Sequence, residues 1–568
     1  MLEVGSLSID LEGIEEVLLT KWKQIRVNIV APLLRVAVLI CLIMTLMIFV
    51  EKVFVGLICL VVKVFKLKPE KRYRWEPMRS ETSDLEIGVL SYPMVLVQIP
   101  MYNEKEVYKL SIGAACNLDW PSDRMIIQIL DDSTDPVDLV KKECKIWKSK
   151  GLNIRYEVRN NRKGYKAGAL KEGMLHYYVK DCDFVAMFDA DFQPESDFLK
   201  RTVPFLIHNP EIALVQTRWT FVNADECLMT RMQEMSLDYH FKIEQEAGSS
   251  VFAFFGFNGT AGVWRISTIV DAGGWKDRTT VEDMDLAVRS SLNGWKFVYV
   301  GDVKVKCELP STFKAYRHQQ HRWSCGPANL FKKMILEIIA NKKVSTWKKI
   351  HLIYNFFFIG KILAHTSTYI FYCIVIPLSV LIPEVEIPLW GVAYIPTIIT
   401  LLKSVGTPSI HNIFDIDDLN ARNLFYLMNS SFHLVIPWVL FENVMSLHRI
   451  KAATTGLLEV GRVNEWIVTT KLGDGSKIKP SMEVIVENAK DLRDAKVIEP
   501  LLGDYKKPHL RTWQRFHVAE LWMGVFMFTA GFYDVAYTKK GHFIYLFLQS
   551  CAFFIIGFDF IGTSIKTS

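Results

Sequence analysis

Four long apolar runs restrict what this chain can fold into more than any other feature of its sequence. Thr366–Ile382, Ile387–Leu402, Ala519–Tyr537 and Phe543–Ile561 each approach the about 20 residues that cross a bilayer as a helix. Near the N-terminus Val36–Val50 and Val53–Val62 are also apolar, with Glu51 and Lys52 alone between them. Two residues cannot turn a helical hairpin, so one span followed by an interfacial helix is expected there. The acidic start (Glu3, Asp10, Glu12, Glu15, Glu16) leads into no small-residue cleavage site, which predicts a retained anchor. Basic residues flank that anchor on both sides, so charge alone does not orient it.

With 568 residues, half of them hydrophobic, and a mean hydropathy of +0.17, the chain exceeds the about 100–200 residues of one soluble domain. The net charge of +6, from 67 basic and 61 acidic residues, sits largely beside the apolar runs. That placement suits lipid headgroups and argues against nucleic acid as a partner. The ten cysteines form no CxxC pair, so buried thiols are expected in place of zinc or a disulfide framework.

The texture divides the chain into 1–90 with the anchor, a catalytic unit 91–341, apolar helices 342–450, a polar segment 451–514 and C-terminal apolar helices 515–568. Within 91–341 short apolar runs alternate with turns and helical periodicity, an α/β pattern. Met94–Ile99, Met125–Leu130, Ile154–Val158 and Phe184–Phe188 read as strands, Ala167–Val179 and Glu226–Ala247 as helices. Ligands of such sheets bind beyond the carboxyl ends of strands. Two of these strands run straight into acids there, Asp131-Asp132 and Asp189-Ala190-Asp191.

Each acidic cluster also has an ordinary reading. A DxD in a loop is commonly just solvated, but two carboxylates at a strand end also suit a hard cation completed by diphosphate oxygens. Asp131-Asp132 alone reads as a turn or helix cap; beside the DxD it reads as part of a nucleotide pocket. Glu282-Asp283 stands where a turn becomes the helix carrying Leu286–Leu292. Asp283 there both caps the helix and suits a general base. On a helix starting near Ser311, Gln319, Arg322 and Trp323 share one face. An indole beside a guanidinium is a platform for a sugar ring and an anionic leaving group.

In this order, Asp132, Asp189-Ala190-Asp191, Glu282-Asp283 and Gln319-Gln320-His321-Arg322-Trp323 resemble the D, DxD, ED, QxxRW series of processive family-two glycosyltransferases. Gln98–Glu104 and Lys163–Ala169 resemble the same family's first strand and its nucleotide-contacting turns. Phe257–Arg265 and Thr279–Leu286 resemble the plant cellulose synthase-like groups A and C, and Gln320–Phe331 and Gly461–Trp466 are similar to group A.

The resemblance implies a GT-A (Rossmann-like) nucleotide-sugar domain inserted between transmembrane and interfacial helices. It also implies a processive, inverting synthase of β-1,4-mannan or glucomannan in the Golgi membrane. The donors would be GDP-mannose and GDP-glucose, the metal Mn²⁺ or Mg²⁺, and the partners the bilayer, the growing chain and a possible second copy. Carried over by position, Glu104 and Asp132 serve the nucleoside, with Asp132 counted among the catalytic acids. Lys166, Asp189, Asp191, Arg322 and Lys471 serve the diphosphate, Asp189 and Asp191 through the metal, and Asp283 is the base. Asn258, Gly259, Thr260, Gln319 and Trp323 serve the acceptor.

Trp466–Lys471 resembles the family's gating loop, with Trp in place of Phe. Such a loop must share a membrane side with the catalytic unit, so Phe432–Met445 is expected to be interfacial. Residues 414–431 look like an insertion. The alternatives are a β-1,4-glucan synthase drawing on UDP-glucose, and a membrane channel or lipid scaffold retaining an inactive transferase domain.

Overall fold

The computed structural model describes residues 11–78, 92–134, 138–159, 161–404, 421–461, 463 and 516–562. Its centre is an eight-stranded sheet in the order β3-β2-β1-β4-β7-β6-β8-β5. These are β1 (Val95–Met101), β2 (Met125–Asp131), β3 (Ile154–Val158), β4 (Phe184–Met187), β5 (Gln193–Pro194), β6 (Ile212–Phe221), β7 (Gly262–Arg265) and β8 (Lys296–Cys307). All four strands read from the apolar runs are present. They read as near-continuous hydrophobic runs because both faces are covered: Val95, Val97 and Ile99 enter one core and Leu96 the other.

β1 pairs in parallel with β2 on one side and β4 on the other. The chain therefore crosses over β1 between β3 and β4, and this switch point opens a crevice at the carboxyl ends. β7 lies antiparallel to β4, with Met187 opposite Gly262. That register sets the residues entering β7 beside the residues leaving β4.

The helices that shape the site are α1 (Ala31–Val64), α2 (Tyr165–Gly173), α3 (Leu228–Tyr239), α4 (Glu282–Leu292) and α5 (Phe313–Ala340). Beyond them run α6 (Thr346–Leu381), α7 (Ala421–Leu458), α8 (Val518–Tyr533) and α9 (Phe543–Gly557). The expected helix over 167–179 ends early, at Gly173, and resumes as a 3₁₀ turn, Tyr177–Asp181. The expected helix over 226–247 is longer: α3 passes through a π-helical segment, His240–Gln245, and continues as Glu246–Phe252.

The apolar runs depart further from expectation. At the N-terminus no break separates a span from an interfacial helix; helix runs on from Leu11 through a π-helical turn, Arg26–Val30, to Val64. Glu51 and Lys52 stay inside it because Lys52 Nζ pairs with Glu51 at 3.1 Å and with Glu244 of the catalytic unit at 3.0 Å. Thr366–Ile382 proves to be the end of the longer α6. Among the described residues two helices are long and apolar enough to cross a membrane, Glu15–Val64 and Thr346–Leu381, whereas the run at 387–402 forms the shorter Trp390–Lys403. The short interfacial helix expected at 432–445 is part of α7, which continues to Leu458. Residues 414–420 of the expected insertion and the gating-loop segment Trp466–Lys471 lie outside the described residues.

α7 is fastened to α5 at two places. Arg449, buried and paired with Glu442 at 2.5 Å, donates to Gln320 Oε1 at 2.8 Å and to the Tyr316 hydroxyl at 3.0 Å. Two turns on, Asn329 Nδ2 donates to the Gly456 carbonyl at 3.1 Å, and a Cβ at Gly456 would stand 2.2 Å from the Cys325 carbonyl oxygen. Ala in place of Gly gains about 1 kcal/mol of helix propensity. Here it meets backbone that cannot turn aside, at an overpacking cost of about 1–3 kcal/mol. Gly456→Ala is therefore expected to lower the melting temperature of the purified protein, and an unchanged or raised midpoint would contradict this helix crossing.

Candidate active site

The carboxyl ends of β1, β2 and β4 open into a cavity of about 360 Å³. Glu104 follows β1, Asp132 follows β2, and Asp189 and Asp191 follow β4; all four line it. Of the adjacent acids after β2, Asp131 is consumed structurally. It accepts the Tyr156 hydroxyl at 2.9 Å and the Ser133 N–H at 3.0 Å. Asp132 faces the cavity and pairs with Arg159, whose Nε lies 2.6 Å from Oδ1. The same guanidinium donates to the carbonyls of Lys163 and Tyr165 at 2.8 and 2.6 Å. It thereby holds the turn that launches α2, with Gly164 at φ +73° as its left-handed residue.

That turn aims Lys166 across the cavity to Asp189 Oδ1 at 2.5 Å and the Gly259 carbonyl at 3.0 Å. Burial alone would lower the lysine's pKa, but Asp189, Glu282 and Asp283 override it and hold the ammonium above its ordinary value. Gly259 arrives through the β4–β7 register. Its φ of +79° suits glycine, and a Cβ there would stand 2.8 Å from Asp283 Oδ2. Asn258 lines the cavity. Thr260 is fully buried, and its hydroxyl accepts the Asp189 N–H at 2.9 Å.

Glu282 and Asp283 form the first turn of α4, where the helix dipole favours negative charge and Asp283 Oδ1 accepts the Met284 N–H at 2.7 Å. Burial nevertheless raises both acids, Glu282 to about 8, with the neighbouring Asp283 adding to it, and Asp283 to about 6 against the pull of Lys166. At neutral pH the pair thus retains a proton, and the two acids titrate together.

α5 brings Gln319, Arg322 and Trp323 to the same cavity. It is seated by Gly326, where a Cβ would meet Val281 at 2.7 Å and Thr280 at 2.9 Å, so helix and acidic turn share one contact. Burial lowers Arg322 to about 10, against Asp189 and Glu282. Trp323 remains 38% exposed.

Every candidate among the described residues except Gly259 and Thr260 lines this one cavity; those two are tied to its lining through Lys166 and the Asp189 N–H. Lys471 lies outside the described residues. No cluster of three or more His, Cys, Asp or Glu suited to a metal exists among the described residues. Asp189 and Asp191 are hard oxygen donors too few for an all-protein cage. They fit an ion of the Mg²⁺ or Mn²⁺ kind that keeps positions open for phosphate oxygens.

Glu282, Arg159, Arg162, His240 and Lys361 escaped selection as site residues from sequence. Arg162 stacks 3.4 Å over the Tyr102 ring, and His240 and Lys361 line the cavity. The isolated charge of Lys361 within a strongly apolar run was the available signal.

Residues 96–260 match the family model described as Glycosyl transferase family 2, and 184–403 that described as Glycosyl transferase family group 2. A protein of Oryza sativa subsp. japonica named probable glucomannan 4-beta-mannosyltransferase 11 is 65% identical, covering 92% of this chain and 90% of its own. Glucomannan 4-beta-mannosyltransferase 9 of Arabidopsis thaliana is 59% identical, covering 95% of this chain and 94% of its own. Among solved structures, a mannosyltransferase from Pyrobaculum calidifontis in complex with GDP-Man and Mn2+ is 16% identical with a TM-score of 0.41, covering 74% of this chain and 100% of its own. With identity of this order to the plant proteins over almost its whole length, the chain belongs to glycosyltransferase family 2, among the glucomannan 4-beta-mannosyltransferases.

Proposed function

We propose that this enzyme builds the β-1,4-linked backbone of mannan or glucomannan, adding mannose from GDP-mannose, and glucose from GDP-glucose, to the 4-hydroxyl of a growing chain. The carrying observation is that Asp283, with its raised pKa, shares one cavity with Lys166, Arg322 and the two acids after β4. The reading is supported by the names of the full-length plant relatives, against which the glucan-synthase alternative drawing on UDP-glucose is not favoured.

Asp283 takes the proton of the acceptor 4-hydroxyl while that oxygen bonds to the anomeric carbon. The bond from that carbon to the diphosphate breaks on the opposite face, inverting the centre and releasing GDP. Lys166 and Arg322 meet the charge that develops on the leaving group. Asp189 and Asp191 would hold a Mn²⁺ or Mg²⁺ ion, which supplies further neutralisation at the diphosphate. Glu104 and Asp132 face the nucleoside, and Gln319 and Trp323 the acceptor sugar. We place the enzyme in the Golgi membrane as a multi-pass protein, in keeping with Glu15–Val64 and Thr346–Leu381.

Purified protein in lipid nanodiscs is expected to make alkali-insoluble polymer from GDP-mannose and not from UDP-glucose, and to stop when a chelator removes divalent ions. Polymer from UDP-glucose alone would reject the donor, and undiminished synthesis in chelator would reject the metal. Asp283→Asn is expected to cut turnover by about 10²–10⁴-fold while leaving GDP-mannose binding intact. A base must be unprotonated to act, so wild-type turnover is expected to fall as pH drops through about 6. A pH–rate profile flat from 5 to 8, on the order of three units about that value, would contradict the assignment.

A further inference from the structure

Part of the cavity lining comes from elements that the transfer chemistry leaves unused. Asn258 stands there beside His240, which opens the π-helical segment following α3, and Lys361 of α6. π-helical turns within α-helices recur at functional positions, and this one directs His240, Glu244 and Gln245 to a single place.

A continuous chain of polar contacts runs from there to the N-terminal helix. Lys52 Nζ donates to Glu244 Oε1 at 3.0 Å, Glu244 Oε2 lies 3.0 Å from His240 Nδ1, and His240 Nε2 lies 3.1 Å from Asn258 Oδ1. A carboxylate can only accept, so the ring donates to Glu244 through Nδ1; Nε2 then carries the lone pair and accepts, and the Asn258 amide meets it with its NH₂ end, as the network requires. Gln245 Nε2, 3.3 Å from the same ring nitrogen, also donates to the Gly256 carbonyl at 3.3 Å. Lys52 is 5% exposed and lies over the Tyr239 ring, so the far end of the chain is itself held.

Two different groups hold Asn258. Its backbone N–H donates to Gln216 Oε1 at 3.4 Å, and Gln216 in turn donates to the Thr260 carbonyl at 3.1 Å. The side chain depends on His240: the other end of the Asn258 amide is buried and has no hydrogen-bond partner among the described residues. Removing the imidazole therefore frees the amide while the backbone of Asn258–Thr260, and with it the Gly259 contact to Asp283, stays in place.

The helices that reach this lining indicate what it serves. Both helices long enough to cross a membrane reach it, α6 through Lys361 and the N-terminal helix through Lys52 and Glu244. A growing chain has to leave the cavity, and Asn258 belongs to the part of its lining that both helices reach. Resting on the proposed function, we infer that Lys52, Glu244 and His240 are positioning residues that fix the Asn258 amide against the terminal sugars of the growing β-linked chain. The N-terminal helix thereby takes part in holding the acceptor.

The test uses full-length protein in nanodiscs, with GDP-mannose as donor and a β-1,4-linked manno-oligosaccharide as acceptor. His240→Phe is expected to raise the half-saturating acceptor concentration about tenfold, the loss of one fixed hydrogen bond, and to shorten the polymer, with GDP-mannose affinity unchanged. His240→Gln, whose amide carbonyl can accept from Asn258 in place of Nε2, is expected to restore most of both. Lys52→Met and Glu244→Gln are expected to shift the acceptor value in the same direction by less.

Wild-type acceptor response and polymer length in His240→Phe would overturn the inference, as would weakened GDP-mannose binding in that variant. A defective His240→Phe beside an unaffected Lys52→Met and Glu244→Gln would overturn the part given to the N-terminal helix. Should the wild type elongate from UDP-glucose instead, the proposed donor fails, and the same variants compared with that donor still decide the role of His240.

Discussion

The Lys166–Asp189 ion pair is the interaction on which the rest of the site depends. Asp189, Asp191, Glu282 and Asp283 line one cavity, where burial, with Asp189 beside them, raises Glu282 and Asp283. One ammonium, held charged by three of them, keeps this concentration of acid tolerable in the folded chain. It also donates to the Gly259 carbonyl, so the charge that balances the acids also ties the segment before β7 to the loop after β4. Electrostatics and chain path are set by the same nitrogen.

Around that pair the sheet does the positioning. Parallel strands deliver Glu104, Asp132 and the DxD to one edge, and the antiparallel insertion of β7 beside β4 adds Asn258–Thr260 from the other direction. The parallel part was legible in the sequence because strands buried on both faces are short unbroken apolar runs, and those runs end in acids. The place of β7 was not legible. Gly262–Arg265 is four residues long, and its partner is decided by register with a strand more than seventy positions earlier. Local patterning carries no trace of that choice.

The acids and the Gln319–Trp323 helix face were likewise legible, since residue type and spacing on one helix turn suffice to propose them. His240 and Glu244 were hidden for a definite reason: an i,i+4 count puts them on one helix face, but that the face meets Asn258 on one side and Lys52 on the other is decided by tertiary contacts. The N-terminal helix misled in the opposite way. Glu51 and Lys52 look like a break when helix and bilayer alone are considered. Their tolerance comes from Glu244, nearly two hundred residues away, which neutralises the lysine by tertiary contact.

The two fastenings between α5 and α7 have a kinematic meaning. Arg449 and Gly456 are seven residues apart, about 10 Å along a helix, and each grips α5 at a different height. One contact would leave a hinge, about which one rod could swing or slide over the other. Two contacts, one a branched guanidinium clamp and the other backbone against backbone, remove both freedoms. The helix face bearing Arg322 and Trp323 is therefore carried as one body with α7. Relative movement within the enzyme is thereby left to parts other than this pair, which forms one frame.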